Sequence, residues 1–257
     1  MPEQLKPPVL AEMSWTEARD LLRLRPVGFL PVGAIEAHGP HLPLNTDIII
    51  AEAMATRAAA LLHGAGVPTA ILPSVSYSVS YVGACFPGTT PVDAETLSDY
   101  LFHILVRSAA QGYRLICVCN AHLEPAHVDA VAAAASSAGK ESPVPIVFPD
   151  KRSEHWSRRL GDEFQRGSRH AGWYETSIVL AARPEVVRRQ WLEELPPNWV
   201  DLPAALRGGA RDFIEAGADL GYFGDPASAT AEDGERLITT LGELFRDHVL
   251  DMLARER

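Results

Sequence analysis

Val27-Gly28-Phe29-Leu30-Pro31-Val32-Gly33 carries no charged side chain, and the chain turns polar directly after it, through Glu36, His38 and His41 to Asp47. A short apolar run bounded in this way reads as a buried strand. A helix is expected from about Ile48 to Leu62, with Gly64 and Gly66 as its stop signals. The unit then recurs. Thr69–Pro73 is a second strand, followed by a long Ser/Tyr/Gly loop from Ser74 to Thr90 and a helix from near Asp93 to Gln111. Arg114–Cys119 is a third strand, and Pro125 opens a helix to about Ala138, at a position where a missing N–H is harmless. Val144–Phe148 is a fourth strand. Helices are expected near Ser153–Phe164, Glu175–Ala182 and Ala231–Ala254, with an irregular Pro-rich stretch from Glu194 to Gly209. Strand alternating with helix predicts an α/β fold, a mainly parallel sheet covered on both faces. Ligands of such sheets bind beyond the carboxyl ends of the strands.

Composition narrows the function. At 257 residues the chain makes one large domain or two small ones, with room for a core that needs no staples. Acidic residues outnumber basic ones 33 to 23, which disfavours nucleic acid as a partner. Three cysteines form no disulfide framework, and Cys117 and Cys119 lie in an apolar run where they read as small core residues. The N-terminus has no secretory pattern and no apolar stretch is long enough for a membrane span, so a cytoplasmic protein with no membrane partner is expected. No G-x-S-x-G elbow, G-x-G-x-x-G or P-loop pattern occurs.

The chemistry sits after the first and third strands. Glu36-Ala37-His38 and His122-Leu123-Glu124 each place two side chains at i and i+2, on one side of an extended chain. Asp47 returns after a Gly/Pro turn and joins them. Two imidazoles and three carboxylates suit Zn²⁺ or Mn²⁺ and exceed what one tetrahedral ion with an open position needs. A carboxylate shared by two ions about 3.5–4 Å apart accounts for the number, and Asp47 is the candidate bridge. Either cluster alone also arises by chance as surface or capping chemistry. His41 suits a residue that supports a ligand rather than a ligand itself.

The run from Leu30 to Asp47 resembles the signature of the creatininase (creatinine amidohydrolase) family. Phe86-Pro87-Gly88-Thr89, Asn120-Ala121-His122 and the segment His170 to Ser177 resemble it in the same order. The likeness covers roughly residues 14 to 255. It implies a single three-layer α/β/α sandwich, with residues 1–13 as an N-terminal arm, that hydrolyses a C–N bond of a small-molecule, cyclic amide substrate. It also implies two divalent metal ions per subunit, Zn²⁺ and/or Mn²⁺, held by Glu36, His38, Asp47 and His122 with Asp47 shared, and a homo-oligomer, hexameric in relatives. Glu124, two residues after the second-motif histidine as in creatininase itself, inherits a ligand role. Where many relatives have Asn-Gly-His-Gly-Gly-Asn, this chain has Ala121, Leu123, Glu124 and Pro125, and Val82–Cys85 replaces the Glu-His often found before Phe-Pro-Gly-Thr.

The expected reaction is attack on a carbonyl or amidine-like carbon by a hydroxide held between the two metals. His170 is the candidate proton carrier, or else a buried histidine that fixes the Gly172 turn. Glu175 is a catalytic carboxylate beside the metals, an additional ligand, or a charge that suits a helix N-terminus. Trp156 and Trp173 are candidate substrate-binding walls with core packing as the alternative, and Ser78, Ser80 and Tyr81 lie in a loop placed to close over substrate. His63, His103, His127, His155 and His248 read as structural or exposed. The alternatives in function are deformylation, trimming of a modified peptide, ring opening of a cyclic sugar ketone, or a metal-binding pseudoenzyme.

Overall fold

The computed structural model describes residues 7–255. Its sheet holds β1 (Val27–Val32), β2 (Thr69–Ile71), β3 (Leu115–Asn120) and β4 (Ile146–Val147), all parallel, in the order β2-β1-β3-β4. The helices are α1 (Trp15–Leu22), α2 (Thr46–Gly64), α3 (Ala94–Ala109), α4 (Pro125–Glu141), α5 (Glu154–Ser157), α6 (Asp162–Arg166), α7 (Trp173–Ala182), α8 (Arg189–Leu192), α9 (Leu202–Arg207) and α10 (Ala231–Arg255).

The period of two along each strand divides the core. Val27 and Phe29 of β1 and Leu115, Cys117 and Cys119 of β3 join one apolar cluster, with residues of α2, α7 and α10. Leu30, Val32, Ile116 and Val118 face the other way, against α3 and α4. Both cysteines are fully buried, as core hydrophobes should be. Each fully buried large apolar side chain contributes on the order of 1.5–3 kcal/mol. The result is the three-layer sandwich that strand–helix alternation predicts.

Connectivity places the site. From β1 the chain passes through α2 to β2 on one side, then returns through α3 to β3 on the other side of β1. The direction of winding therefore reverses between β1 and β3, which is where open α/β sheets bind their ligands.

Several elements differ from expectation. Helix α1 is held by a reciprocal cap, Glu17 N donating to Ser14 Oγ and Ser14 N to Glu17 Oε2. Its S-x-x-E signature stands in the sequence as Ser14-Trp15-Thr16-Glu17. β4 shrinks to Ile146–Val147 because Pro145 has no N–H to offer a ladder. The helix expected over Ser153–Phe164 is two short pieces, broken where Gly161 takes φ 96°. The stretch 194–209 contains α9. Of the expected N-terminal arm, residues 1–6 lie outside the described residues; Pro8 accepts a backbone hydrogen bond from Ile71, and Val9 bridges it.

Candidate metal centre

Val32 of β1 pairs with Asn120 of β3, so the segments after them open side by side into one space. Helix α2 enters the same space through Gly33, where an added Cβ would lie 2.6 Å from the Asp47 Cβ. That missing side chain lets the first turn of α2 close onto the strand end. From the opposite side comes α7, preceded by Ala171 at φ 53°. A non-glycine residue rarely takes this left-handed conformation. Here it turns His170 and, through the Ala171 N–H donated to Glu175 Oε2 at 2.7 Å, Glu175 toward one another.

Three sets of donors result, one of them Glu36, His38 and His170. Glu36, Asp47 and His122 bring one atom each within 4.8 Å of one another, and so do His38, Asp47 and Glu175. Asp47 belongs to both. His122 Nδ1 stands 3.0 Å from Asp47 Oδ2 and 3.3 Å from Glu36 Oε2. His38 Nε2 stands 3.7 Å from Asp47 Oδ1 and 3.5 Å from Glu175 Oε2. The five residues of the two sets that share Asp47 are at most 5 % exposed. Glu36 Oε2, His38 Nε2, Asp47 Oδ2 and His122 Nε2 nevertheless make no hydrogen bond. His38 Nδ1 lies 3.0 Å from the Glu36 carbonyl oxygen, which can only accept, so Nδ1 carries a proton and Nε2 is the ring atom that faces the carboxylates.

Electrostatics point the same way. Burial raises Glu36, yet the charges of His122, His170 and His38 bring it down to about 2. Burial lowers His38, yet its contacts with Asp47 and then the Glu175 and Glu36 charges lift it to about 9. Burial carries Glu175 up to about 7. Three carboxylates sealed from water demand positive charge, supplied by protons on imidazole or by cations.

A second set of contacts holds this group. Ser80 Oγ donates to Glu36 Oε1 at 2.8 Å. Asn120 Nδ2 donates to the His122 carbonyl, and its Oδ1 accepts from His127 Nε2 at 2.7 Å. Buried Lys151 donates to the Ala121 carbonyl at 2.8 Å. His41 is fully buried beside Thr176 Oγ1, 2.9 Å away, beneath the cluster rather than in it.

His170 Nε2 lies 3.0 Å from the Ala37 carbonyl, which leaves Nδ1 without the proton and 3.7 Å from Glu36 Oε2. Its ring stacks against Phe213, with centroids 4.2 Å apart. Burial, then the His38 charge, pushes its pKa down to about 4. Glu36, Asp47, His122, Glu175 and His170 border a cavity of about 240 Å³.

Four sequence-predicted site residues are placed differently. Glu124 borders the cavity but joins none of the donor sets; its carboxylate accepts from the N–H groups of Tyr81 and Val82, at 3.3 and 3.1 Å. Ser78 is fully buried, bonded to His127 Nδ1, and supports the floor instead of reaching substrate space. Trp156 packs in the α2/α7/α10 core, because α5 turns it inward beneath Arg159. Trp173 donates Nε1–H to Asp233 at 3.1 Å and stacks on Arg236, outside the cavity. His127 is the buried one among the histidines expected to be structural or exposed.

Other contributors had no sequence signal strong enough to single them out. Arg152, Arg169, Arg207 and Phe213 line the cavity from the irregular region after β4. Glu163 accepts the N–H groups of Trp173, Tyr174 and Asp225 at 2.8–2.9 Å, binding the start of α7 to the turn before the 3-10 segment Pro226–Ser228. Gly172 makes room for it: an added Cβ would meet Glu163 Oε1 at 2.6 Å.

Comparison with known proteins is consistent with this geometry. Residues 11–249 match the creatininase family, described as creatinine amidohydrolase. The mycofactocin precursor peptide peptidase of Mycobacterium tuberculosis is 32% identical over 241 residues, 91% of this chain and 88% of the relative. The creatinine amidohydrolase of Pseudomonas putida is 28% identical over 204 residues, 73% of this chain and 76% of its own. Among solved structures, a manganese creatininase aligns with TM-score 0.74 and 22% identity, covering 96% of this chain and 98% of its own. A mutant creatininase of Zn-Zn type aligns at 0.72 and 22%, with the same coverage.

Proposed function

Because this chain belongs to the creatininase family, we propose that it is a metal-dependent hydrolase of an amide-type C–N bond, with two divalent cations held by Glu36, Asp47 and His122 on one side and His38, Asp47 and Glu175 on the other. One observation carries the reading: two buried donor sets hinged on Asp47, with four donor atoms that no hydrogen bond satisfies. Imidazole nitrogen and carboxylate oxygen without thiolate suit Zn²⁺ and Mn²⁺, and solved relatives of the same fold include a Zn-Zn and an Mn form. When bound, such a pair lowers the pKa of water and polarises a substrate carbonyl.

The chain's own residues do the rest. Asp47 and Glu175 stand in the first turns of α2 and α7, where the helix dipole favours their negative charge. His170, neutral and with a free Nδ1 at the cavity wall, takes the proton from the attacking water and delivers it to the leaving nitrogen. A C–O bond forms at the carbonyl carbon, the C–N bond breaks, and the products are an acid and an amine. Glu124, tied to the amides of Tyr81 and Val82, fixes the 74–90 loop at the cavity mouth. Tight water exclusion follows from the burial of every donor.

A second reading, trimming of a modified peptide, has its own support. The relative at 32% identity is named a peptidase, and neither Trp156 nor Trp173 lines the cavity to sandwich a flat ring. A homo-oligomer working in the cytoplasm completes the proposal; exposed Trp15, Tyr77 and Tyr100 supply apolar surface for an interface. No helix among the described residues is long and apolar enough to cross a membrane. The test is metal content by mass spectrometry, followed by a panel of cyclic amides, formamides and short peptides. Two bound cations and hydrolysis that chelation abolishes are expected. Bound metal with no hydrolysis overturns the enzyme, and hydrolysis that survives chelation overturns the metal.

A further inference from the structure

The cavity above the carboxylate floor has an unusual wall. Arg152, Arg169 and Arg207 all line it, in a protein of formal net charge −10. Arg152 is already occupied, its guanidinium bonded to Asp150 through Nε and Nη2 at 2.9–3.1 Å. Arg169 is not. Among the described residues it has no carboxylate within ion-pair distance, and its one hydrogen bond runs from Nη1 to the Phe164 carbonyl at 3.3 Å. An arginine has five N–H donors in a planar fork, so most of this fork is unused. The side chain is not loose: its guanidinium lies over the Phe164 ring, 4.8 Å from the centroid. Burial and the neighbouring Arg152 charge both push its pKa down, so the guanidinium is partly desolvated and repelled by its neighbour. Arg207 stands exposed at the end of α9, also without an acidic partner among the described residues.

A guanidinium pinned in a cavity with its donors open is a receptor for an anion. Beside it the wall is apolar, with Leu123, Leu202, Leu206 and Phe213. A carboxylate next to an aliphatic side chain matches both surfaces, whereas a polyhydroxylated phosphate matches only one. We infer that the substrate is an acylated amino acid or peptide end, whose free carboxylate is held by Arg169, with Arg207 as a second cation, while its amide lies over the metal floor.

This rests on the hydrolase reading but fails separately from it. The probes are N-formyl-L-leucine, N-formyl-L-leucinol and the phosphate ester of that alcohol, given to the zinc-loaded protein. Formate release and calorimetric binding are both measured. In wild type the acid exceeds the alcohol at least tenfold in kcat/KM and in affinity, the gain of a charge-assisted hydrogen bond pair. In Arg169→Gln that ratio collapses toward one, Arg169→Lys restores part of it, and Arg207→Gln reduces it by a smaller factor. Formate from none of the probes, with the acid still bound preferentially and the preference lost in Arg169→Gln, supports the inference while counting against hydrolysis. An acid preference that persists in both glutamine variants comes from the metals alone and overturns it. A preference for the phosphate ester, or no preference in wild type, does the same.

Discussion

The floor and the wall of the cavity are built by opposite strategies. The floor donors follow a strand or sit in the first turn of a helix: Glu36 and His38 in the segment after β1, His122 after β3, Asp47 in α2 and Glu175 in α7. The arginine side of the wall comes from residues 150–169 and 202–213, where the longest helix has six residues and the chain is otherwise irregular. Rigid elements fix the groups that must keep their geometry to fractions of an ångström, and loops carry those that choose the substrate. Changes to the floor should abolish the reaction whatever the substrate; changes to the wall should alter which substrate is taken.

The severest break is Asp47→Ala. It removes the donor that two of the sets share, and activity should fall to background together with metal content by mass spectrometry. Two metals retained in that variant would dissolve the floor as described. Next comes His170→Ala, which should keep both metals and lose about 10²–10⁴-fold in kcat, as expected for a positioned proton carrier. Wild-type kcat would return His170 to a structural role. At the wall, Arg169→Gln should shift the acid-to-alcohol ratio by about tenfold and leave metal content unchanged; a fall in metal content would show that wall and floor are not separable.

Smaller effects test the joints between the two. Glu163→Ala leaves three N–H groups without their acceptor and should lower stability by on the order of 3 kcal/mol, read from the denaturant midpoint. Unchanged stability would mean that α7 holds its place without this contact. Beneath the floor, burial drives the His41 pKa to about 3, so the folded state favours its neutral form. The stability tied to His41 is therefore complete above about 6.5, its unfolded value, and is lost as pH falls toward 3. Between those limits the melting temperature should fall less steeply in His41→Gln than in wild type. Parallel slopes would show that His41 charges at no cost.

Legibility followed the same division. That Glu36, His38, Asp47 and His122 gather in one space was readable because i and i+2 spacing on an extended chain is local geometry, and the strand pattern says where each chain end opens. Glu175 stood among three readings until α7 was placed, since only the turn at Ala171 aims it at His38. Glu124 lies at the cavity wall, as its spacing suggests, with its oxygens on two loop amides remote in sequence. Of the two readings open for Trp156 and Trp173, the structure places neither on the cavity lining, because an aromatic residue near a functional motif packs inward or outward according to helix breaks such as Gly161.

From the sequence alone come the alternation of strand and helix, the faces of each strand, and the polar residues that follow β1 and β3, because each depends on neighbours within a few positions. The tertiary structure decides that β1 and β3 are adjacent, that Asp47 serves two donor sets, and that Arg169 faces the cavity without an acidic partner. Those facts depend on which distant segments share a space and on which polar groups are already satisfied there, and no local pattern records that.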